Sequence, residues 1–417
     1  MKTAMIRAGR FHYAWVVILT SCAVVFGCLG LGRFGYGILL PEMQSELHMD
    51  NTGAGLVASA DLVAYLAMAL ASGMLAARVG SRIVISAGLA CGALGMILTG
   101  AAPGIPAILA ARVLTGLGGG AANVPVMGIL AAWTTKRRRG LAAGIAVAGS
   151  SLGLISLGPA VPRLLAALGP GGWRTVWFIF GGVTSVIAAL AAALLRNSPG
   201  EVGRSPMGSV EDGPTPPGPP SRRWRDVYRS PYVWHLGLVY IAFGFSYIIY
   251  MTFFIKRLVS EGGYSPAEAG RLFMIMGWCS LVCGVLWGAV SDRIGRKWAL
   301  AAIYLIHALA FAVFGIAQSH GAFLVSAVLF GLSAWSIPAV MAAACGDVTG
   351  PRLAPAALGF VTLFFGAGQV LGPTAAGALT DAFGNFTPAF LTAAGVALLG
   401  AAAAALIREN IRVFRQG

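Results

Sequence analysis

Charged residues are scarce in this chain of 417 residues: only 10% of positions are Asp, Glu, Lys or Arg, and the acids number 14. Soluble domains carry about 25% charged residues, so this composition excludes an ordinary soluble protein. The hydrophobic fraction is 58% and the mean hydropathy is +0.80. Apolar runs of about 20 residues recur between short polar breaks, which predicts an all-α protein that crosses a bilayer many times.

Cysteine is also rare, and the motifs of soluble enzymes are missing. The 6 cysteines include no Cys-x-x-Cys pair and lie in or beside apolar runs, which favours packing over a disulfide framework or a metal site. The sequence has no Walker phosphate loop. The glycine-rich stretch Gly116 to Gly120 falls inside an apolar run, where close helix packing is the simpler explanation. We therefore expect neither enzyme activity nor a cofactor.

Basic residues outnumber acids, giving a formal charge of +15, but their placement argues against a nucleic-acid partner. They concentrate in alternate breaks, while the other breaks hold most of the acids. The basic clusters are Lys2 to Arg10, Arg78 with Arg82, Lys136 to Arg139, Arg222 to Arg229, Arg293 to Lys297 and Arg408 to Arg415. This asymmetry follows the positive-inside rule and predicts an even number of spans with both termini cytoplasmic. We expect a monomer in a bacterial inner membrane, with the lipid bilayer as its partner.

Breaks at basic clusters and at Pro/Gly-rich turns divide the chain into twelve predicted spans. They lie near residues 13–40, 53–77, 83–102, 106–133, 140–166, 173–195, 232–255, 266–290, 298–318, 322–346, 354–380 and 387–407. Residues 197–230 form the only long polar segment, and its Pro/Gly-rich centre, 213–220, predicts an extended or disordered cytoplasmic linker. The predicted organisation is an N-terminal six-helix bundle (1–196), the linker (197–230) and a C-terminal six-helix bundle (231–417).

Glycines in the two halves repeat at one constant separation along the chain, which we call the repeat spacing. The pairs that define it are Gly73 and Gly288, Gly116 and Gly331, Gly144 and Gly359, and Gly153 and Gly368. Four coincidences at one spacing predict an internal duplication, with chance in a glycine-rich chain as the alternative. Parallel six-helix repeats related about the membrane normal are one known transporter architecture.

The duplicated breaks resemble a known family. Residues 288–297 read Gly-Ala-Val-Ser-Asp-Arg-Ile-Gly-Arg-Lys, which resembles the Gly-x-x-x-Asp-Arg-x-Gly-Arg-Lys loop of the major facilitator superfamily. Residues 73–82 resemble its first-half copy, and Arg112 to Gly116 resembles the Arg-x-x-x-Gly signature of span four. The resemblance implies a twelve-helix secondary transporter with gating residues at Asp292, Arg293, Arg296, Arg78 and Arg82.

The first-half loop departs from that pattern, because Ala77 stands where the acid is expected. We therefore expect gating pairs on the N-terminal side to be weaker, or to involve other residues. Residues 12–15 leading into span one, with Arg33 further on, are loosely similar to the monocarboxylate and oxalate/formate branch. The run Gly-Arg-Phe-x-Tyr-x-x-x-Leu-Pro (32–41) is closer to poorly characterised bacterial members. The monocarboxylate branch also uses charged residues in spans eight and eleven, whereas here both are neutral at mid-depth.

Arg33 lies inside the first apolar run, among glycines at positions 30, 32, 35 and 37. A centred arginine costs about 2.5 to 3.5 kcal/mol even on the lower insertion scales, so it faces a bundle interior or a wet cavity by default. Its planar donor fork matches the two oxygens of a carboxylate, which makes Arg33 the candidate anion anchor. The alternative is that it snorkels to the surface or pairs with an acid for structure.

Asp61 and Arg112 are predicted at a similar depth in the N-terminal half. At 1.5 Å per residue, Arg33 and Asp61 lie roughly 10 to 13 Å below the outer helix ends. Asp61 is the candidate proton carrier, and Arg112 would hold or tune it. The alternative is a purely structural pair between Asp61 and Arg112, because buried pairs do not establish function.

Aromatic and amide side chains are the remaining candidate substrate contacts: Tyr36, Asn123, Tyr247, Tyr250, Trp335 and Gln369. Aromatics at helical spacing are more often packing residues, but a buried phenol needs a hydrogen-bond partner. The sequence thus predicts a transporter of a small organic anion, most simply a monocarboxylate, by proton coupling or anion exchange. The alternatives are a proton-coupled exporter of drugs or lipophilic metabolites, with Asp61 attracting the cation, and a sensor that does not transport.

Overall fold

The computed structural model describes residues 12–208 and 224–407. Twelve helices of this part are long and apolar enough to cross a membrane, so the protein is an integral multi-pass membrane protein and the predicted all-α fold is confirmed. The spans, one to twelve, are Ala14–Leu47, Asn51–Val79, Ser81–Ala101, Ile105–Trp133, Arg138–Leu168, Gly172–Leu194, Pro231–Ser260, Pro266–Ile294, Arg296–Ile316, His320–Thr349, Ala356–Phe383 and Thr387–Ala405.

The two faces of the bundle differ in charge. We call the face that carries the breaks after the even-numbered spans the basic face, and the other the opposite face. Because the number of spans is even, span one begins on the basic face and span twelve ends on it. The basic clusters 2–10 and 408–415, and Arg222 and Arg223, lie outside the described residues.

Span one changes its helix type on the way across. A helix over Ala14–Val25 widens into a π-helix over Phe26–Phe34, and a helix over Gly35–Leu47 completes the crossing. π-Helical turns are rare and occur frequently at functional sites, and this one contains Arg33. The helix continues past Pro41, beyond the end predicted near residue 40, and stops only at His48, whose φ of 47° is left-handed.

Span ten is interrupted, which the sequence did not predict. The helix His320–Gly331 ends in a turn, and the next helix runs from Ser336 through span eleven to Phe383. Pro338 has no N–H to donate to the carbonyl of Ala334, so the proline is accommodated in the first turn of a new helix. The single helix Ser336–Phe383 thus joins spans ten and eleven.

The internal repeat is visible in the backbone. Gly80 and Gly295, which are one repeat spacing apart, end spans two and eight with φ of 92° and 87°. Those values favour glycine, which explains why both loops keep it. At the opposite face, Arg174 donates to the carbonyls of Gly100 and Ala102, and Arg257 donates to the carbonyls of Gly315 and Ala317. The two pairs of carbonyls are again separated by the repeat spacing.

The two bundles meet tightly near the opposite face, through two equivalent contacts. A Cβ on Gly55 of span two would lie 2.3 Å from the carbonyl oxygen of Pro373 in span eleven. A Cβ on Gly270 of span eight would lie 2.1 Å from the carbonyl oxygen of Gly158 in span five. We call these contacts the 2–11 seam and the 5–8 seam. The repeat spacing separates their two glycines, and it also separates their two carbonyl residues.

Toward the basic face the same four spans separate. A Cβ added at the repeat-related glycines of their basic halves would meet nothing within 4 Å. These glycines are Gly73, Gly288, Gly144 and Gly359. The cleft between the bundles is therefore closed at the opposite face and open toward the basic face.

The ends of the predicted linker are ordered, so the prediction of extended or disordered backbone is wrong for them. Met207 is buried against the N-terminal bundle, where its N–H donates to Trp133 O at 2.9 Å and its carbonyl accepts from Thr135 N at 3.2 Å. A short helix over Trp224–Arg229 leads into span seven. The Pro/Gly-rich centre, 213–220, lies outside the described residues.

Candidate substrate site

Arg33, Asp61 and Arg112 line one small cavity between the bundles. Its volume is about 20 Å³, roughly the room that one water molecule needs. The charged residues of its lining all come from the N-terminal bundle, whereas span seven contributes Ile248 and Met251. A ligand here would meet charge on one side and a largely apolar wall on the other, and a larger ligand would require the walls to move apart.

The charges are not duplicated in the C-terminal bundle. The residues that lie one repeat spacing after Arg33, Asp61 and Arg112 are Ile248, Met276 and Ala327. All three are apolar and buried. The duplication thus preserved the helix scaffold while only one half carries ionic groups at the site.

Arg112 is held by the N-terminal bundle itself. Its Nη2 lies 3.1 Å from Asp61 Oδ1, and its Nη1 donates to the carbonyl of Gly32 at 2.9 Å. The guanidinium carbon also lies 5.2 Å from the centre of the Trp177 ring. With side chains only 1% and 5% exposed, Arg112 and Asp61 form a buried pair, an arrangement that is stable only when further hydrogen bonds complete it.

The glycines of span four allow this pair to form. A Cβ on Gly116, one turn after Arg112, would lie 2.0 Å from the carbonyl oxygen of Asp61. A Cβ on Gly120 would lie 2.4 Å from the carbonyl oxygen of Tyr65, one turn further along span two. The Arg-x-x-x-Gly signature thus has a physical reason: the glycine admits the backbone of the residue that the arginine binds. Close packing also accounts for the glycine-rich stretch.

Arg33 has a different environment. Its guanidinium carbon lies 4.2 Å from the centre of the Tyr65 ring, and its polar neighbours include the phenols of Tyr65 and Tyr247. The buried Nε of Arg33 has no hydrogen-bond partner among the described residues, and the same is true of the Nε of Arg112. Arg33 also forms no ion pair with a described carboxylate, whereas Arg112 does. The site therefore holds two guanidinium groups and one carboxylate, and the carboxylate is bound to Arg112.

Tyr65 was missed in the sequence, and Asn123, one of the predicted substrate contacts, binds its hydroxyl. Asn123 Nδ2 donates to the Tyr65 hydroxyl at 2.8 Å, so it supports the ring beneath Arg33. A usable signal for Tyr65 was present, because it lies four residues after Asp61 and residues i and i+4 share one face of a helix.

Tyr247, Gln369 and Trp335 lie together on the C-terminal side of the site. Gln369 Nε2 donates a short hydrogen bond to the Tyr247 hydroxyl. The Trp335 ring lies 6.3 Å from that of Tyr247, edge to face, and stacks on Phe34 at 5.6 Å. These three predicted substrate contacts thus lie next to one another, on the side of the site that faces Arg33.

Two predicted substrate contacts are placed differently. Tyr250 lies inside the C-terminal bundle among phenylalanine rings, and its hydroxyl is hydrogen-bonded to Ser326 Oγ at 2.8 Å. It does not line the cavity, because its position on span seven faces away from the bundle interface. Tyr36 lines the cavity, but its hydroxyl is already donated to the carbonyl of Ala54 at 2.8 Å. The Tyr36 hydroxyl is therefore not a free donor for a ligand.

The predicted gating residues sit at the basic face. Arg296 binds Asp292 at 2.6 Å and Asp347 at 2.9 Å, all within the C-terminal bundle. Arg82 donates to the backbone carbonyl of Ala192 at 2.7 Å rather than to an acid, in keeping with the missing acid at Ala77. Arg78 and Arg293 are exposed.

Comparison with known proteins identifies the family. The profile of a transporter family described as "Uncharacterised MFS-type transporter YbfB" matches residues 25–405. The chain belongs to this family of the major facilitator superfamily. Members of the family are transporters rather than enzymes, so this protein is a transporter of the major facilitator type, as the loop and span-four motifs indicated.

Relatives of this transporter include carriers of organic anions. Monocarboxylate transporter 3 of Mus musculus is 30% identical over 404 residues, covering 93% of this chain and 78% of that protein. The probable sulfoacetate transporter SauU of Cupriavidus necator is 23% identical over 419 residues, covering 95% of this chain and 94% of that protein. A bacterial homologue of the human lysosomal transporter Spinster, in an inward-facing and unoccupied conformation, has the same fold, with a TM-score of 0.76, 17% identity and coverage of 97% and 98%.

Proposed function

We propose that this transporter carries a small organic anion, most simply a monocarboxylate, and that Arg33 is the anchor for its carboxylate. The observation that carries the proposal is the contrast between the two arginines of the site. Arg112 is matched by Asp61 in an ion pair, whereas the half-buried Arg33 forms no ion pair with a described carboxylate. An intramembrane guanidinium without a counterion is costly unless something else supplies negative charge.

The surroundings of Arg33 suit an anion with a short apolar body. Tyr247 and Gln369 add hydrogen-bonding groups opposite the guanidinium, while Ile248 and Met251 line the wall away from the charges. The named relatives that carry monocarboxylates and sulfoacetate support the same class of substrate.

Proton coupling would involve Asp61, and anion exchange would not need it. Protonation of Asp61 would release Arg112 and add a positive charge to the site, which favours an anion. In the rival function, proton-coupled export of lipophilic cations, Asp61 would attract the substrate, and its bond to Arg112 argues against that role. The basic face is assigned to the cytoplasm by its Arg and Lys residues, in a bacterial inner membrane.

The test is thermal stabilisation of the detergent-purified protein by small carboxylates, sulfonates and lipophilic cations. A ligand that binds only the folded protein raises its unfolding temperature with occupancy. We expect stabilisation by a carboxylate that is lost in Arg33→Ala, since bonds to a charged group contribute about 1.5 to 3 kcal/mol, or tenfold and more in Kd. Arg163→Ala, which removes an exposed arginine of span five, is the matched control. Stabilisation by cations alone, or equal stabilisation of the Arg33→Ala variant, would refute the assignment.

A further inference from the structure

The two seams that close the opposite face are equivalent in backbone but not in side chains. At the 5–8 seam the close contacts are between Gly270 and Gly158 and, below them, between Gly277 and Leu154, and one neutral hydrogen bond runs from Ser280 Oγ to Ser151 Oγ at 2.7 Å. At the 2–11 seam the glycine contact is accompanied by more hydrogen bonds, including bonds to a carboxylate. Ser59 Oγ lies 2.7 Å from the carbonyl of Val370 and 2.9 Å from Thr374 Oγ1.

The strongest of these bonds involve Asp381, near the end of span eleven. Its Oδ1 accepts from the N–H of Asn51 at 3.1 Å and from Asn51 Nδ2 at 2.8 Å. Its Oδ2 accepts from the N–H of Thr52 at 2.7 Å and from Thr52 Oγ1 at 2.6 Å. Four hydrogen bonds therefore connect one carboxylate of the C-terminal bundle to the first turn of span two in the N-terminal bundle.

This geometry is that of a helix N-cap supplied by the other bundle. The first N–H groups of a helix have no partner within it, and the positive end of the helix dipole favours a carboxylate there. The side chain of Asp50, the helix's own N-cap, accepts from the N–H of Gly53, and its carbonyl accepts from the N–H of Ala54. Asp381 accepts from the N–H groups of Asn51 and Thr52, which Asp50 does not bind.

The repeat shows that this contact is specific to one seam. The residue one repeat spacing before Asp381 is Ala166, which has no carboxylate, and those one repeat spacing after Asn51 and Thr52 are Pro266 and Ala267. Span eight instead caps itself, through Ser265 and Glu268. The 5–8 seam therefore has no counterpart to Asp381 in the sequence.

We propose that Asp381 is a latch for the opposite face: it caps span two across the bundle interface and stabilises the conformation open toward the basic face. Opening of the opposite face must break all four bonds together, while the 5–8 seam parts without breaking a charge-assisted bond. Removal of the latch shifts the equilibrium toward the conformation open at the opposite face. The latch does not depend on which solute is carried.

The test measures how often the opposite face opens. Ala58 lines the cavity beneath the 2–11 seam. A single cysteine is placed there in a protein whose native cysteines are replaced by alanine. From the opposite face, this cysteine reacts with a bulky membrane-impermeant maleimide only when the seam parts. Right-side-out and inside-out membrane vesicles present the two faces separately. A cysteine at the exposed Ala101, at the end of span three, identifies which vesicles present the opposite face.

We expect Asp381→Ala to raise the alkylation rate from the opposite face about 2- to 30-fold, the factor that corresponds to loss of a helix N-cap. The rate from the basic face should not rise. Thr52→Val, which removes one partner hydroxyl, should give a smaller increase, and should add nothing when combined with Asp381→Ala because the two residues share the bond. Asp50→Asn is the matched control, since it removes a charge from the same helix end but keeps an equally good cap.

The proposal is overturned if folded Asp381→Ala protein, verified by its thermal unfolding, reacts at the unchanged rate. It is also overturned if Asp50→Asn raises the rate as much as Asp381→Ala, because the effect would then come from charge at the surface. An equal rise from both faces would indicate general loosening and would likewise refute the latch.

Discussion

The Arg112 guanidinium bridges two elements of the N-terminal bundle: it binds the Asp61 carboxylate of span two at 3.1 Å and the Gly32 carbonyl of span one at 2.9 Å. Gly32 immediately precedes Arg33, so the ion pair also fixes the backbone that carries the unmatched arginine. The charge pair and the candidate anion anchor are therefore mechanically connected through one residue.

Removing one partner of the buried pair of Arg112 and Asp61 should destabilise the protein much more than removing both. Arg112→Ala would leave Asp61 buried without its ion-pair partner, at a cost of about 3 to 5 kcal/mol, whereas Arg112→Leu combined with Asp61→Leu should be far milder. Thermal unfolding in detergent measures both. Equal destabilisation by the single and double variants would mean that the pair is not coupled.

Asp61→Asn distinguishes proton coupling from anion exchange. Asparagine keeps a hydrogen-bond acceptor for Arg112 but carries no exchangeable carboxyl proton. If Asp61 is the proton carrier, uptake into proteoliposomes should no longer be stimulated by an inward proton gradient, while exchange of internal for external anion should persist. Asp347→Asn, which changes an acid at the basic face, is the control. Retained stimulation in Asp61→Asn would exclude Asp61 as the carrier.

Tyr65 is expected to act through its ring rather than through its hydroxyl. Cation–π contacts contribute about 0.5 to 2 kcal/mol, so Tyr65→Leu should weaken anion binding about 2- to 30-fold. Tyr65→Phe keeps the ring 4.2 Å from Arg33 and should stay within about twofold of the native protein. Titration calorimetry with the best ligand from the stabilisation panel gives the two constants. A larger loss in the phenylalanine variant would shift the role to the hydroxyl and its partner Asn123.

Gly116→Ala should destabilise the protein because its Cβ would lie 2.0 Å from the Asp61 carbonyl oxygen. Overpacking of this kind costs about 1 to 3 kcal/mol. Gly128→Ala, on the same span, is the control: its Cβ would meet nothing within 4 Å, so no overpacking is expected. The difference between their unfolding temperatures is the measurement, and equal values would mean that spans two and four can separate without cost.

Glu261→Ala should destabilise the C-terminal bundle more than Glu46→Ala destabilises the N-terminal one. The two glutamates are one repeat spacing apart, and each binds an arginine that reaches carbonyls at the end of the third span of its bundle. The Arg257 side chain is 7% exposed and that of Arg174 is 28% exposed, so losing the partner leaves a more deeply buried charge at Arg257. Thermal unfolding of the two variants is the comparison, and a larger loss in Glu46→Ala would contradict it.

Much of the fold could be read from the sequence because its signals are local. Hydrophobic length predicted all twelve spans, and glycine spacing predicted the duplication that Gly80 and Gly295 show in their backbones. Predictions from local sequence were wrong where tertiary contacts determine the backbone conformation. Met207 is ordered because it packs on the N-terminal bundle, and span one continues past the proline at Pro41 because residues beyond it, such as Met43, are buried in the core.

Sequence alone determined that Arg33, Asp61 and Arg112 lie within the membrane and at a similar depth, since depth follows from counting residues along a helix. Only the tertiary structure decided which arginine Asp61 binds, that Tyr65 lies under Arg33, and that Tyr250 faces away from the cavity. Those outcomes depend on the rotation of each helix about its axis and on which backbones the glycines allow to approach. Packing between helices sets both, and no single helix encodes them.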